Sequence, residues 1–129
     1  MVLNYGVFDR ESSPEAHRRF GGAGNMLTSE EMEGFWRNYL RDERDAGDPL
    51  VCPLRADLRK LPPVLLVVPE CDLLTEQSVQ LADRLSAAGV PVKLEMYRGA
   101  VHSFLEAVSI APIADRAFAD TAAWLRAQE

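Results

Sequence analysis

Asp72 and His102 are the residues of this chain whose types and placement point to chemistry. Each stands a few residues beyond a stretch that reads as a β-strand. Pro69-Glu70-Cys71-Asp72-Leu73-Leu74 follows the apolar run Val64 to Val68, and Arg98-Gly99-Ala100-Val101-His102-Ser103-Phe104 follows Val92 to Tyr97. If these two strands are parallel neighbours, they run about 4.8 Å apart. A carboxylate and an imidazole just past their carboxyl ends then meet, although 30 residues separate them in the chain. A carboxylate so placed fixes the imidazole tautomer and stabilises the imidazolium, which a general base requires before it can activate a hydroxyl nucleophile. On spacing alone the plainer account, a solvated loop aspartate beside an unrelated histidine, is the favoured one.

The elements that must position the pair are legible from periodicity. Val2 to Phe8 is mostly apolar and β-rich, and Val64 to Val68 is a continuous run between Pro62-Pro63 and Pro69, the pattern of a strand buried on both faces. Both read as central strands. Val92 to Tyr97 alternates apolar and polar residues after Pro91, as at a sheet edge. Between and after them three helices are expected, at about 29–41, 75–88 and 112–127. Thr28 and Glu31 have capping-box spacing ahead of a stripe of Met32, Phe35, Trp36, Tyr39 and Leu40. The second helix buries Ser78, Leu81, Ala82 and Leu85 and ends at Gly89, where a left-handed cap is wanted. The third opens at Pro112 with Ile113, Ala117, Phe118, Thr121 and Leu125 on one face. Alternating β and α elements give an α/β fold with a three-stranded parallel sheet (about 2–8, 64–68 and 92–97), whose strand-end loops gather at one edge and carry the chemistry.

Several segments together resemble the hormone-sensitive-lipase-like branch of the α/β-hydrolases. They are Leu61 to Leu74, with its Asp-x-Leu; Gly99-Ala100-Val101-His102-Ser103-Phe104, with its His-x-Phe; Val2 to Asp9; and Asp48-Pro49 through Leu54. Each motif alone is weak, but their conjunction in order and spacing covers essentially the whole chain and displaces the plainer account of Asp72 and His102. The resemblance implies a partial α/β-hydrolase fold, residues 1–129 forming its C-terminal part and 10–60 a crossover, cap-like segment. It implies carboxylester hydrolysis without a cofactor, on small-molecule esters of short to medium acyl length, with Asp72 and His102 as the acid and base of a Ser-His-Asp triad.

The nucleophile elbow G-x-S-x-G and the oxyanion motif H-G-G of that family do not occur in this chain. None of its serines is flanked by the required glycines. Ser103, next to His102, is a tempting substitute, but an adjacent side chain in one loop cannot easily serve both the imidazole and a substrate carbonyl. The expectation is a chain inactive alone: the C-terminal portion of a serine esterase or, alternatively, a non-catalytic module built on the same half-fold. An in-frame H-G-G and G-x-S-x-G in the DNA upstream of Met1 would decide for the enzyme. Val2 to Phe8 would then lack its nucleophile-bearing neighbour, leaving a bare edge open to a second copy or a complementing chain.

Other features read as structure. Gly21-Gly22-Ala23-Gly24 follows no strand and lacks the rest of a P-loop or dinucleotide fingerprint. His17 lies in a polar stretch and reads as a surface residue, while Phe35, Trp36 and Tyr39 are at helical spacing, more often core than substrate wall. Cys52 and Cys71 are too few for a disulfide framework or a zinc site and read as free thiols. Across 129 residues, 14 Lys and Arg against 20 Asp and Glu leave a net charge of -6, which disfavours nucleic acid and anionic membrane surfaces. No apolar run approaches the ~18 residues of a membrane span. The N-terminal residues do not read as a secretory signal, so a cytoplasmic location is expected.

Overall fold

A run as apolar as Val64 to Val68 can stay dry on both faces only at the centre of a covered sheet. In the computed structural model, which describes residues 1–128, it forms strand β2 (Val64–Cys71), whose first six residues are buried. Strand β1 (Val2–Asn4) pairs with one side of it and β3 (Val92–Val101) with the other, both parallel, in the order β1-β2-β3. Leu66 stands beside Leu3 in β1 and Leu94 in β3.

Parallel neighbours require crossovers. Helices α1 (Pro14–Phe20) and α2 (Ser29–Tyr39) and two 3-10 turns (Glu43–Gly47 and Pro53–Arg55) lie between β1 and β2. Helix α3 (Thr75–Ala87) joins β2 to β3, and α4 (Pro112–Arg126) follows a 3-10 turn at Phe104–Ala107. The two-residue period of β2 divides the core. Val64, Leu66 and Val68 pack with Leu81 and Leu85 of α3, whereas Leu65 and Val67 pack with Ala114 and Ala117 of α4. A third cluster seats Met32 and Trp36 of α2 on Leu73 and Leu74, directly after Asp72.

The three-strand parallel α/β arrangement agrees with the expectation, and three helices fall within two residues of their expected bounds. Thr28 and Glu31 form the full capping box, and Gly89 has φ +75° after the last turn of α3. The differences have physical causes. β1 stops at Asn4, not Phe8, and among the described residues it lies at the sheet edge, as the bare-edge expectation has it and not centrally as its apolar pattern suggests. Tyr5 takes φ +36°, which turns the chain out of extended geometry. The backbone N–H groups of Phe8 and Asp9 then bond to the Gln77 side chain instead of to a strand.

β3 runs on to Val101 with a register shift between Pro69 and Cys71, and its outer face is partly covered, because Tyr97 packs toward α4. Helix α1 was not anticipated, although Ser13 caps it through the Ala16 N–H and Pro14 occupies its first turn. In α2 only Met32 and Trp36 are buried; Phe35 and Tyr39 are exposed. In α4 the inner face is Ala114, Ala117 and the partly buried Ile113 and Trp124, while Phe118 and Leu125 are exposed.

Gln77 sets where the chain goes after β1. Its buried amide accepts from Phe8 N and Asp9 N at 2.8 and 2.9 Å and donates toward Asp9 O, Glu11 O and Ser12 Oγ at 3.0 to 3.2 Å. One residue later in the chain, the Ser13 hydroxyl donates to Glu76 at 2.7 Å. The first turn of α3 therefore tethers the whole exit from β1. Buried polar groups that lose such a partner cost about 1–3 kcal/mol. Gln77→Ala is expected to lower unfolding free energy by that amount, roughly 1–3 kcal/mol, and to expose the Phe8 and Asp9 amides. Denaturant melts and hydrogen exchange check both.

Candidate active site

The carboxyl ends of β2 and β3 meet at a pair of loops held together by side chains. At the end of β2, Glu70 accepts a hydrogen bond from Gly99 N at 2.9 Å, and the Thr75 hydroxyl donates to Pro69 O at 2.7 Å. Gly99 has φ +74°, a conformation that suits a residue without a Cβ and turns β3 toward Val101, the partner of Cys71. Asp72 follows at once. Its Oδ1 accepts from Leu74 N at 3.1 Å, and its backbone carbonyl accepts from Thr75 N at 3.2 Å, so the residue also holds the turn that leads into α3.

With Oδ1 held, Oδ2 is aimed at His102. The distance to Nδ1 is 2.7 Å; the Asp72 side chain is fully buried, and that of His102 is 19% exposed. The carboxylate accepts, so Nδ1 holds the proton, and Nε2, on the opposite side of the ring, remains able to take or release another. That arrangement suits an imidazole acting as base toward a hydroxyl and then as acid toward a leaving group. The juxtaposition expected from the two strand ends is therefore present.

Tyr5 is a neighbour that the sequence analysis did not single out. It stands at the carboxyl end of β1, with its ring centroid 5.0 Å from that of His102 in edge-to-face geometry. The available signal was positional, since β1 is the third parallel strand to end on this edge. Burial, and then the charges of Glu106 and Asp72, raise the Tyr5 phenol above its ordinary pKa.

The remaining candidates fall elsewhere. Ser103 adopts φ +60° and opens the Phe104–Ala107 turn; among the described residues its hydroxyl makes no hydrogen bond with His102. Gly21 ends α1 by donating to His17 O, and a Cβ there would collide with the Ser29 hydroxyl. His17 is exposed and meets Ser29 Oγ at 2.6 Å. Phe35, Trp36 and Tyr39 line an apolar cavity of about 600 Å³ with Val7, Leu50 and Val51. Both cysteines are free, Cys52 being buried with its thiol pushed upward in pKa by desolvation. No group of metal-ligating side chains and no helix long and apolar enough to cross a membrane occurs among the described residues.

Residues 1–106 match the model of a family described by its alpha/beta hydrolase fold. The chain belongs to that family. As a member of the α/β-hydrolases it is 35% identical over 129 residues to an acetyl esterase of Salmonella paratyphi B, covering 99% of this chain and 40% of that protein. Among solved structures it superposes on a Pyrobaculum calidifontis esterase with a TM-score of 0.93 at 29% identity, covering 98% of this chain and 42% of the other. A thermostable esterase from Pseudomonas putida gives 0.83 at 32% identity, covering 90% and 38%. This α/β-hydrolase chain thus spans about 40% of the length of the curated relatives it matches.

The two oxygens of Asp72 can be separated by mutation. Asp72→Ala removes both contacts, whereas Asp72→Asn keeps an acceptor for Leu74 N. The alanine variant is expected to lose about 1–3 kcal/mol of stability and the asparagine variant less. Chemical denaturation of the two side by side checks the order.

Proposed function

We propose that this chain is the C-terminal portion of a serine carboxylester hydrolase and that Asp72 and His102 are the acid and base of its Ser-His-Asp triad. The observation that carries the reading is the 2.7 Å contact from buried Asp72 Oδ2 to His102 Nδ1 at the ends of adjacent parallel strands. The serine and the oxyanion donors belong, in this reading, to residues outside these 129.

In the reaction, His102 Nε2 removes the proton of the serine hydroxyl as its oxygen bonds to the ester carbonyl carbon. Asp72 stabilises the resulting imidazolium without taking its proton. Collapse of the tetrahedral intermediate breaks the bond to the alkoxy oxygen, which leaves as the alcohol with the proton from Nε2. Water, deprotonated by the same nitrogen, then hydrolyses the acyl-serine and restores the hydroxyl. Substrates in this reading are small esters of short to medium acyl length, the short end of which is supported by the acetyl esterase relatives.

Residues 10–60 act in this reading as a cap-like crossover, supported by the apolar surface pocket that Phe35 and Tyr39 line. The side of β1 away from β2, which meets no strand among the described residues, receives the strand that precedes it in the whole protein. In the 129-residue chain taken alone, a second copy or a complementing chain takes that place.

The test begins with the coding DNA upstream of Met1, read for an in-frame H-G-G and G-x-S-x-G. In the protein extended by that segment, His102→Ala is expected to lower kcat on an activated ester by roughly 10⁶-fold and Asp72→Asn by about 10⁴-fold, with KM little changed. The 129-residue chain alone is expected to hydrolyse no faster than a surface imidazole. Turnover by that chain, abolished by His102→Ala and by a serine-directed phosphonate, would show that it carries its own nucleophile and overturn this reading.

A further inference from the structure

We infer that Tyr5 is a positioning residue for His102, its ring bracing the imidazole so that Nδ1 stays on Asp72 while Nε2 faces the reacting hydroxyl. This rests on the triad reading above and adds a residue to it.

A single hydrogen bond at Nδ1 fixes one point of the imidazole and leaves the ring free to swing about that point. A second contact on the ring removes the freedom. Tyr5 supplies one at a centroid separation of 5.0 Å and an interplanar angle of 62°, inside the range in which aromatic pairs attract beyond their burial. Tyr5 is itself braced. Its backbone N–H donates to Val67 O of β2 at 2.9 Å, and its ring meets Phe104 edge-on at 6.0 Å. Phe104 lies 5.3 Å from Tyr97, whose hydroxyl donates to Asp120 of α4 at 3.0 Å. The brace thus runs from the imidazole through three aromatic rings to α4.

The backbone adds an independent reason. A φ of +36° is strained for a residue carrying a Cβ, and such strain persists where the surroundings over-determine it, often beside active sites. Here the kink ends β1 and places the Tyr5 ring against His102. Because burial and neighbouring carboxylates keep the phenol protonated, Tyr5 brings no second negative charge to the imidazolium. Its hydroxyl makes no hydrogen bond among the described residues, so the ring, not the oxygen, acts.

The experiment is proton and nitrogen NMR of the 129-residue chain, which has only two histidines to assign. The Nδ1 proton shared with Asp72 resonates far downfield, and its exchange with water reports how firmly the ring is held. Tyr5→Phe keeps the ring, and Tyr5→Leu keeps bulk without it. Tyr5→Gly removes the side chain while relaxing the left-handed backbone. Tyr5→Phe is expected to match the unaltered chain, and the leucine and glycine variants to exchange roughly two- to tenfold faster, the range an aromatic pair supports. Unchanged exchange in Tyr5→Leu and Tyr5→Gly, or exchange in Tyr5→Phe as fast as in Tyr5→Leu, would overturn the role of Tyr5 and leave the triad standing. Loss of cooperative unfolding in both ring-less variants would overturn it too, by showing that Tyr5 serves the fold. Absence of the downfield proton from the unaltered, folded chain would overturn the triad reading, and the role of Tyr5 with it.

Discussion

The burial of β2 on both faces constrains everything else. Six consecutive residues from Val64 are buried, so their backbone groups need partner strands on both sides and their side chains need a layer above and a layer below. β1 and β3 meet the first need, and α3 and α4 the second. Since both neighbours run parallel to β2, all three strands end on one side, and the residue that follows the buried run is delivered there together with the residue that follows β3. Asp72 and His102 are adjacent because Val64 to Val68 must be dry.

That delivery is sharpened by the different tasks of the two Asp72 oxygens. Oδ1 takes the Leu74 N–H and so helps to open α3, while Oδ2 takes the imidazole. A carboxylate tied at one oxygen to the start of a helix has little freedom left at the other. The orientation of His102 is consequently inherited from α3, which is itself packed on β2 through Leu81 and Leu85 and holds the exit of β1 through Gln77. Tyr5 closes the circle on the side of β1.

What the sequence made legible, and what it left hidden, divides along local and non-local lines. The Thr28 and Glu31 cap, the turn at Gly89 and the dry strand from Val64 are written in neighbouring residues, and they were legible. Parallel strand order made a meeting of Asp72 and His102 geometrically cheap, but spacing alone favoured unrelated residues, and it was the resemblance carried by Asp-x-Leu and His-x-Phe that made the pair legible. β1 ended early through a backbone kink at Tyr5, a residue type with no special liking for positive φ, and through bonds to Gln77, some 70 residues away. The inner faces of α2 and α4 were not legible, because apolar residues at helical spacing do not say which of them meets a partner. Phe35, Tyr39, Phe118 and Leu125 share their stripes with buried residues yet stay exposed. Helix α1 is short, and its polar residues masked the signal in Ser13 and Pro14.

The double tie between the strand-end loops, Glu70 to Gly99 and Asp72 to His102, bears on how this segment can vary over evolutionary time. An insertion or deletion between Gly99 and His102 would keep the first tie and misplace the second, since one residue advances an extended chain by about 3.3 Å. Geometry therefore constrains length here more tightly than identity. The stretch from Gly22 to Asn25, outside every strand and largely exposed, carries no such tie to the site and is where change in length belongs. Divergence in this fold should therefore be recorded as substitutions at the sheet edge and as gaps in the crossover.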